Sequence, residues 1–310
     1  MPDLFVDRLL ADIHEKGSPI CVGIDPMYEM LPDAIAGAAT KRDANDLDAC
    51  LDAIHDFCRG VLETVAPLVS VVKFQSAYFE KYLWEGVEAY YELVQEAKDL
   101  GLLVIGDVKR GDIGSTSEAY AAAHLQDLPF PQAEHVTTPD AITINPMLGL
   151  DAIEPFISVA KQTGKGLFVL VRTSNPGSAD FQDMKLADGR TWSEQLADRL
   201  QPLSRDIGLM GTSGWSNLGA VVGATQPHTM RSLRERLPNS IFLLPGYGTQ
   251  GGSAEMTRMA FRNGRGAIVS ASRSILYPKT DSSAASKDWL GAIREAVQRM
   301  RQELSTVVPP

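Results

Sequence analysis

The chain has 310 residues, 44% hydrophobic and 22% charged, the balance of a globular protein with a substantial core, and no run reaches the roughly 20 apolar residues that a membrane helix requires. A formal net charge of −10 argues against nucleic acid or an anionic membrane as partner, so any bound anion must be held by local donors. Three cysteines without a CxxC pair and five scattered histidines that never reach HExxH spacing speak against a disulfide framework and a histidine-based metal site.

In chain order, MPDLFVDRLLADIHEKG reads as an amphipathic helix whose acids and short apolar run are unlike a signal peptide, so a cytoplasmic protein is expected. Eight short, nearly continuous apolar runs follow at 19–25, 69–75, 102–109, 141–145, 166–172, 218–224, 241–246 and 266–272. Such runs are the pattern of parallel strands buried on both faces. Cys21, inside the first run, reads as core filler. Helix-length segments separate the runs, and two capping-box patterns, Ser115 to Glu118 and Thr191 to Glu194, mark helix starts. Eight strand–helix units in this length predict a (β/α)8 TIM barrel spanning 1–310 as one domain, with an open doubly wound sheet as the alternative. Polar or Pro-rich insertions are expected at 37–50, 126–139 and 178–190, with no linker to a second domain.

Catalytic groups of such a barrel come from the C-terminal ends of its strands. Those ends carry charges of both signs: Asp25, Asp107 and Asp112 against Lys73 and Lys109. The densest pattern is Asp107-x-Lys109-x-x-Asp112. Two residues apart on a strand, Asp107 and Lys109 share a side and face the barrel mouth. A lysine flanked by carboxylates keeps its proton, which suits it to protonating a carbanion and not to forming a Schiff base. A salt-bridged strand end that only stabilises the barrel is the competing reading.

Gly246-Tyr-Gly248-Thr-Gln-Gly251 fits GxGxxG, yet a dinucleotide site needs an acid about 20 residues on, in a unit that opens the domain. Here the motif is late in the chain and the next acid after Glu255 is Asp281. A phosphate-holding loop, aided by Arg273 after the eighth strand, is the better expectation. Ser174-Asn-Pro-Gly177 offers a hydroxyl and an amide that could read a heterocycle edge, or it is an ordinary turn.

With VKFQSAYFE (72–80), GDVKRGDIGSTSEAY (106–120), RTSNPGS (172–178) and PGYGTQGG (245–252), the chain resembles the orotidine 5′-monophosphate decarboxylases of the longer bacterial type, over almost its whole length. The resemblance implies a homodimeric, cofactor-free and metal-free enzyme that converts orotidine 5′-monophosphate to UMP and carbon dioxide. It assigns Lys73, Asp107, Lys109 and Asp112 to a charged tetrad, with Lys109 donating a proton to C6 and Asp107 against the departing carboxylate. It places Asp25 on ribose hydroxyls, Ser174 on the pyrimidine, Gln250 and Arg273 on the phosphate, and Asp112 and Thr116 in the partner subunit's site. The rival is a magnesium-dependent sugar-phosphate decarboxylase of the 3-keto-gulonate-6-phosphate type, which shares DxKxxD. Members of that group place a carboxylate where this chain has Lys73, and an ammonium is the wrong ligand for a hard cation.

Overall fold

The apolar runs fold as eight strands in a computed structural model, which describes residues 3–39, 46–133, 136–278 and 288–308. They are β1 (Ile20–Ile24), β2 (Val71–Gln75), β3 (Leu103–Arg110), β4 (Ala141–Ile144), β5 (Gly166–Arg172), β6 (Ser216–Val222), β7 (Ser240–Leu244) and β8 (Ala267–Ala271). Each pairs in parallel with the next, and β8 pairs with β1, so the sheet is a closed barrel and not an open one. Helix α1 (Phe5–Lys16) precedes β1. Helices α2 (Leu47–Val65), α3 (Leu83–Asp99), α4 (Gly114–Leu125), α5 (Glu154–Thr163), α6 (Trp192–Ser204) and α7 (Pro227–Arg236) follow the first six strands in turn. After β7 the helix shrinks to Ala254–Thr257; after β8 a turn at Arg273–Leu276 leads to α8 (Trp289–Ser305).

Strand alternation splits the apolar residues into two cores. Ile20, Val22, Ile24, Val72, Phe74 and Val104 face the helices. Cys21, Val71, Leu103, Ile105, Phe168 and Leu243 fill the barrel, where burial pushes the Cys21 thiol up to about 12, as befits inert filler. Helix α1 plugs the barrel floor. Phe5, Val6 and Leu9 join the inner cluster, and the Phe5 ring meets Phe168 edge-on at 6.1 Å. Gly166 admits that ring, since a Cβ there would lie 2.4 Å from it. Asn217 fixes the helix start: Oδ1 accepts the Val6 N–H at 2.9 Å while Nδ2 donates to the Gly164 carbonyl at 2.8 Å.

The Thr191–Glu194 capping box forms as expected. The Ser115–Glu118 box does not. Gly114, with φ +52°, turns the chain into α4 early, Ile113 occupies the cap position, and Ser115 already lies in the first turn. Asp112 Oδ1 accepts the Ile113 N–H at 2.8 Å instead. Of the expected insertions, 178–190 is a folded flap: Arg172 grips Asp183 through Nε and Nη2 at 3.0 and 2.9 Å. The 126–139 segment contains a short turn at Pro131–Ala133, and positions 134–135, with His135, lie outside the described residues. Positions 40–45 of the 37–50 insertion also lie outside them, and its end is already α2, capped by Asp46.

His124 on α4 packs behind the strands, and its Nδ1 has no hydrogen-bond partner among the described residues. Burial, and then the nearby Arg110, lower its pKa from 6.5 to about 4. Above 6.5 the ring is neutral in both states; below it the unfolded chain takes up a proton that the native chain refuses. Stability is therefore expected to fall by roughly 3 kcal/mol as pH drops through this window. Urea unfolding of His124→Leu should lack that component; an identical pH slope in both proteins would refute the assignment.

Candidate active site

Register places the polar residues of β1 to β4 side by side at the barrel mouth. Lys73 pairs with Gly23 on one side and Ile105 on the other, and Gln75 lies opposite Asp107. The parity that buries Leu103 and Ile105 inside the barrel carries Asp107 and Lys109 to the same side, one level higher. Asp107 is the hub. Its Oδ2 accepts from Lys73 Nζ at 2.8 Å and Gln75 Nε2 at 2.9 Å; its Oδ1 accepts from Lys109 Nζ at 2.6 Å and Thr143 Oγ1 at 2.8 Å. Four donors fill a carboxylate's acceptor capacity.

Burial alone would favour the neutral acid, but the Lys73 and Lys109 ammoniums outweigh it and hold Asp107 well below the usual carboxylate range. Burial likewise opposes the charge on Lys73, and Asp107 with Asp25 raises its pKa in spite of that. Asp25, just beyond β1, stands 3.9 Å from Lys73 Nζ, and its buried Oδ1 has no hydrogen-bond partner among the described residues. It can accept from a ligand hydroxyl.

Lys109 has φ +45°, and the β3–β4 pairing slips between Gly106 and Arg110 around it. A left-handed lysine costs about 1–3 kcal/mol, the kind of strain that collects at functional sites. On the far rim the glycine-rich loop after β7 closes on itself: Gly252 N–H donates to the Gly246 carbonyl at 3.1 Å, and Gly248 N–H to the Gly252 carbonyl at 2.9 Å. Gly246, at φ +96°, lets Gln250 and Ser174 approach, since a Cβ there would lie 2.8 Å from Gln250 Oε1 and 3.2 Å from Ser174 Cβ. The Tyr247 hydroxyl ties the loop to Glu303 of α8. Arg273 is exposed and has no ion pair among the described residues, as suits an anion-binding group. Asp281, the distant acid weighed for a dinucleotide site, lies outside the described residues.

Asp25, Lys73, Asp107, Lys109, Ser174, Gln250 and Arg273 line one cavity of about 420 Å³. Asp112 and Thr116 do not; both stand at the outer start of α4. The sequence reading assigned no role to Thr143 or Gln75. Gln75 was within its reach, being two residues after Lys73, whereas Thr143 matters only through its register with β3. A larger groove of about 730 Å³ between α2 and α3 is open and largely acidic, with Asp48, Asp56, Glu85, Glu88 and Glu92, and is unsuited to an anion.

The fold and cavity are those of a (β/α)8-barrel enzyme, with alternating fixed charges on one rim and a glycine-rich loop beside Arg273 on the other. A family model described as orotidine 5′-phosphate decarboxylase / HUMPS family matches residues 18–288. The orotidine 5′-phosphate decarboxylase of Rhodopirellula baltica is 39% identical over 97% of this chain and 98% of its own length. That of Caldicellulosiruptor bescii is 40% identical, covering 88% of this chain and 89% of its own. A crystal structure from Streptomyces avermitilis matches with a TM-score of 0.78 and 31% identity, covering 100% of this chain and 98% of that one. The OMP decarboxylase structure from Leishmania donovani matches at 0.66 and 28%, covering 95% and 99%. The chain belongs to the orotidine 5′-phosphate decarboxylase / HUMPS family.

Proposed function

We infer that the chain decarboxylates orotidine 5′-monophosphate to UMP and carbon dioxide in pyrimidine biosynthesis, with Lys109 protonating C6. The observation that carries this reading is the Asp107 carboxylate held between Lys73 Nζ at 2.8 Å and Lys109 Nζ at 2.6 Å. Loss of carbon dioxide from C6 leaves an electron pair in the ring plane, where the pyrimidine cannot delocalise it. A fixed ammonium at that point stabilises the developing charge and then supplies the proton. Asp107 lies against the departing carboxylate and orients Lys109. Asp25 and Lys73 hold the ribose, Ser174 the pyrimidine, and Gln250 with Arg273 the phosphate. Binding energy gathered at the phosphate is spent on orienting the reacting end.

The magnesium-dependent sugar-phosphate reading is disfavoured by Lys73, whose ammonium sits between Asp25 and Asp107, where a divalent ion would need those oxygens. The test is EDTA-treated protein with orotidine 5′-monophosphate, following ultraviolet absorbance. Conversion to UMP supports the reading; turnover only after magnesium, or none, overturns it.

We further propose a homodimer, cytoplasmic, with 1–310 as one domain. Ile113, Met147 and Leu148 are large apolar side chains exposed just after β3 and β4, and Asp112 and Thr116 flank Ile113 in the chain. A second copy covering these side chains would bring Asp112 and Thr116 to the partner's cavity. Among the described residues no helix is long and apolar enough to cross a membrane. Ile113→Asp is expected to halve the sedimenting mass and remove most turnover; an unchanged mass would sink the proposed interface.

A further inference from the structure

Thr143, in β4, is 1% exposed and lines the cavity. Its hydroxyl bonds in two directions: Oγ1 donates to Asp107 Oδ1 at 2.8 Å and accepts the Lys109 backbone N–H at 3.0 Å. In a regular parallel ladder that N–H would go to a backbone carbonyl of the neighbouring strand. Here the pairing slips after Gly106 and resumes only at Arg110 opposite Ile144, and Lys109 is a residue inside the slip. The chain beyond it is pinned separately. Asn145 N–H donates to the Arg110 carbonyl at 2.8 Å, and Gly111 packs so closely on Asn145 that a Cβ would lie 2.5 Å from its carbonyl oxygen. Among the described residues, the Lys109 amide itself has Thr143 as its hydrogen-bond partner. A left-handed lysine persists only where its surroundings over-determine it.

We propose that Thr143 is a positioning residue for the reaction: one buried hydroxyl fixes both the Lys109 backbone and the Asp107 carboxylate, and so sets where the Lys109 ammonium stands. The proposal rests on the role inferred above for Lys109. Without the hydroxyl, Asp107 keeps Lys73 and Gln75, so the charged cluster survives while the Lys109 amide loses its partner and the bulge relaxes. The phosphate-binding rim, built by the loops after β7 and β8, is not touched. A loss in kcat without a matching rise in KM follows.

Thr143→Val removes the hydroxyl at nearly constant shape, and Thr143→Ser keeps it. Steady-state decarboxylation and exchange of the UMP C6 proton with deuterated solvent, followed by NMR, are the two rate measurements. In the valine protein both rates should fall about 100-fold, as for a reacting group displaced by a fraction of a bond length, with KM unchanged. The serine protein should recover most of both. Equal rates in the valine and native proteins, a serine protein as impaired as the valine one, or a change confined to KM would overturn the proposal. Thermal melting checks folding, and Thr143→Ala replaces the valine variant if that one does not fold. A crystal structure of the substituted protein decides the backbone claim whatever the substrate proves to be. Lys109 leaving positive φ supports it; Lys109 retained at positive φ refutes it.

Discussion

Replacement of Lys109 by alanine is expected to lower kcat by about 10⁴-fold or more while UMP still binds with nearly native affinity. Two contributions vanish together. The ammonium no longer opposes the charge that builds at C6, and no other acid stands in its place. Lys73, the other ammonium of the cluster, is buried and bonded to Asp107 at 2.8 Å, so it is poorly placed to substitute. The rim formed by Gln250, Arg273 and Ser174, proposed above to hold the nucleotide, is left unchanged by the substitution. Single-turnover kinetics paired with calorimetric titration of UMP separates the two effects. A variant retaining activity within tenfold of native would transfer the proton-donor role away from Lys109.

The largest stability effect is expected at the other end of the barrel. Phe5→Ala should cost about 3–5 kcal/mol in denaturant unfolding, through lost burial and the cavity left behind. The site has little freedom to collapse. Phe168 faces the ring at 6.1 Å, and Gly166 offers no side chain to fill the gap. The candidate active site lies at the opposite end of the strands, so residual folded protein should turn over at the native rate. A loss below 1 kcal/mol, on the order of a surface substitution, would mean that α1 is not the plug described here.

The strands are legible because burial on both faces leaves a nearly continuous apolar run, and a two-residue period then fixes the common side of Asp107 and Lys109. Boundaries were less so: β6 starts at Ser216, two residues before its apolar run, because Ser216 pairs with Ser240 of β7. The Ser115 cap was misread because a positive φ at Gly114 leaves no trace in the capping pattern. Arg234 is the clearest case of what pattern cannot show. Within HTMRSLRER it looks like one more solvated charge, yet it is buried, stacks on Phe242 with 3.6 Å to the ring centre, and donates to the carbonyls of Ala260, Leu237, Ser240 and Gly266. Its partners come from three separate segments, and only the fold assembles them. Thr143 escaped notice for the same reason, since its role exists only through a slip in register. Asp112 and Thr116 rest on resemblance, because one chain does not bring them to its own cavity.

The plug of the barrel floor also bears on how the chain reaches its fold. Helix α1 leaves the ribosome before any strand, but the Asn217 side chain that fixes its start lies 211 positions further on. Contacts of such sequence separation form slowly, because the intervening chain must be ordered before they are gained. Until β6 has been made, Phe5, Val6 and Leu9 have no finished interior to enter, and the helix travels with its apolar face uncovered. Although it precedes every strand of the barrel in the chain, α1 is thus among the last elements to dock, and sealing the floor is a late event in folding.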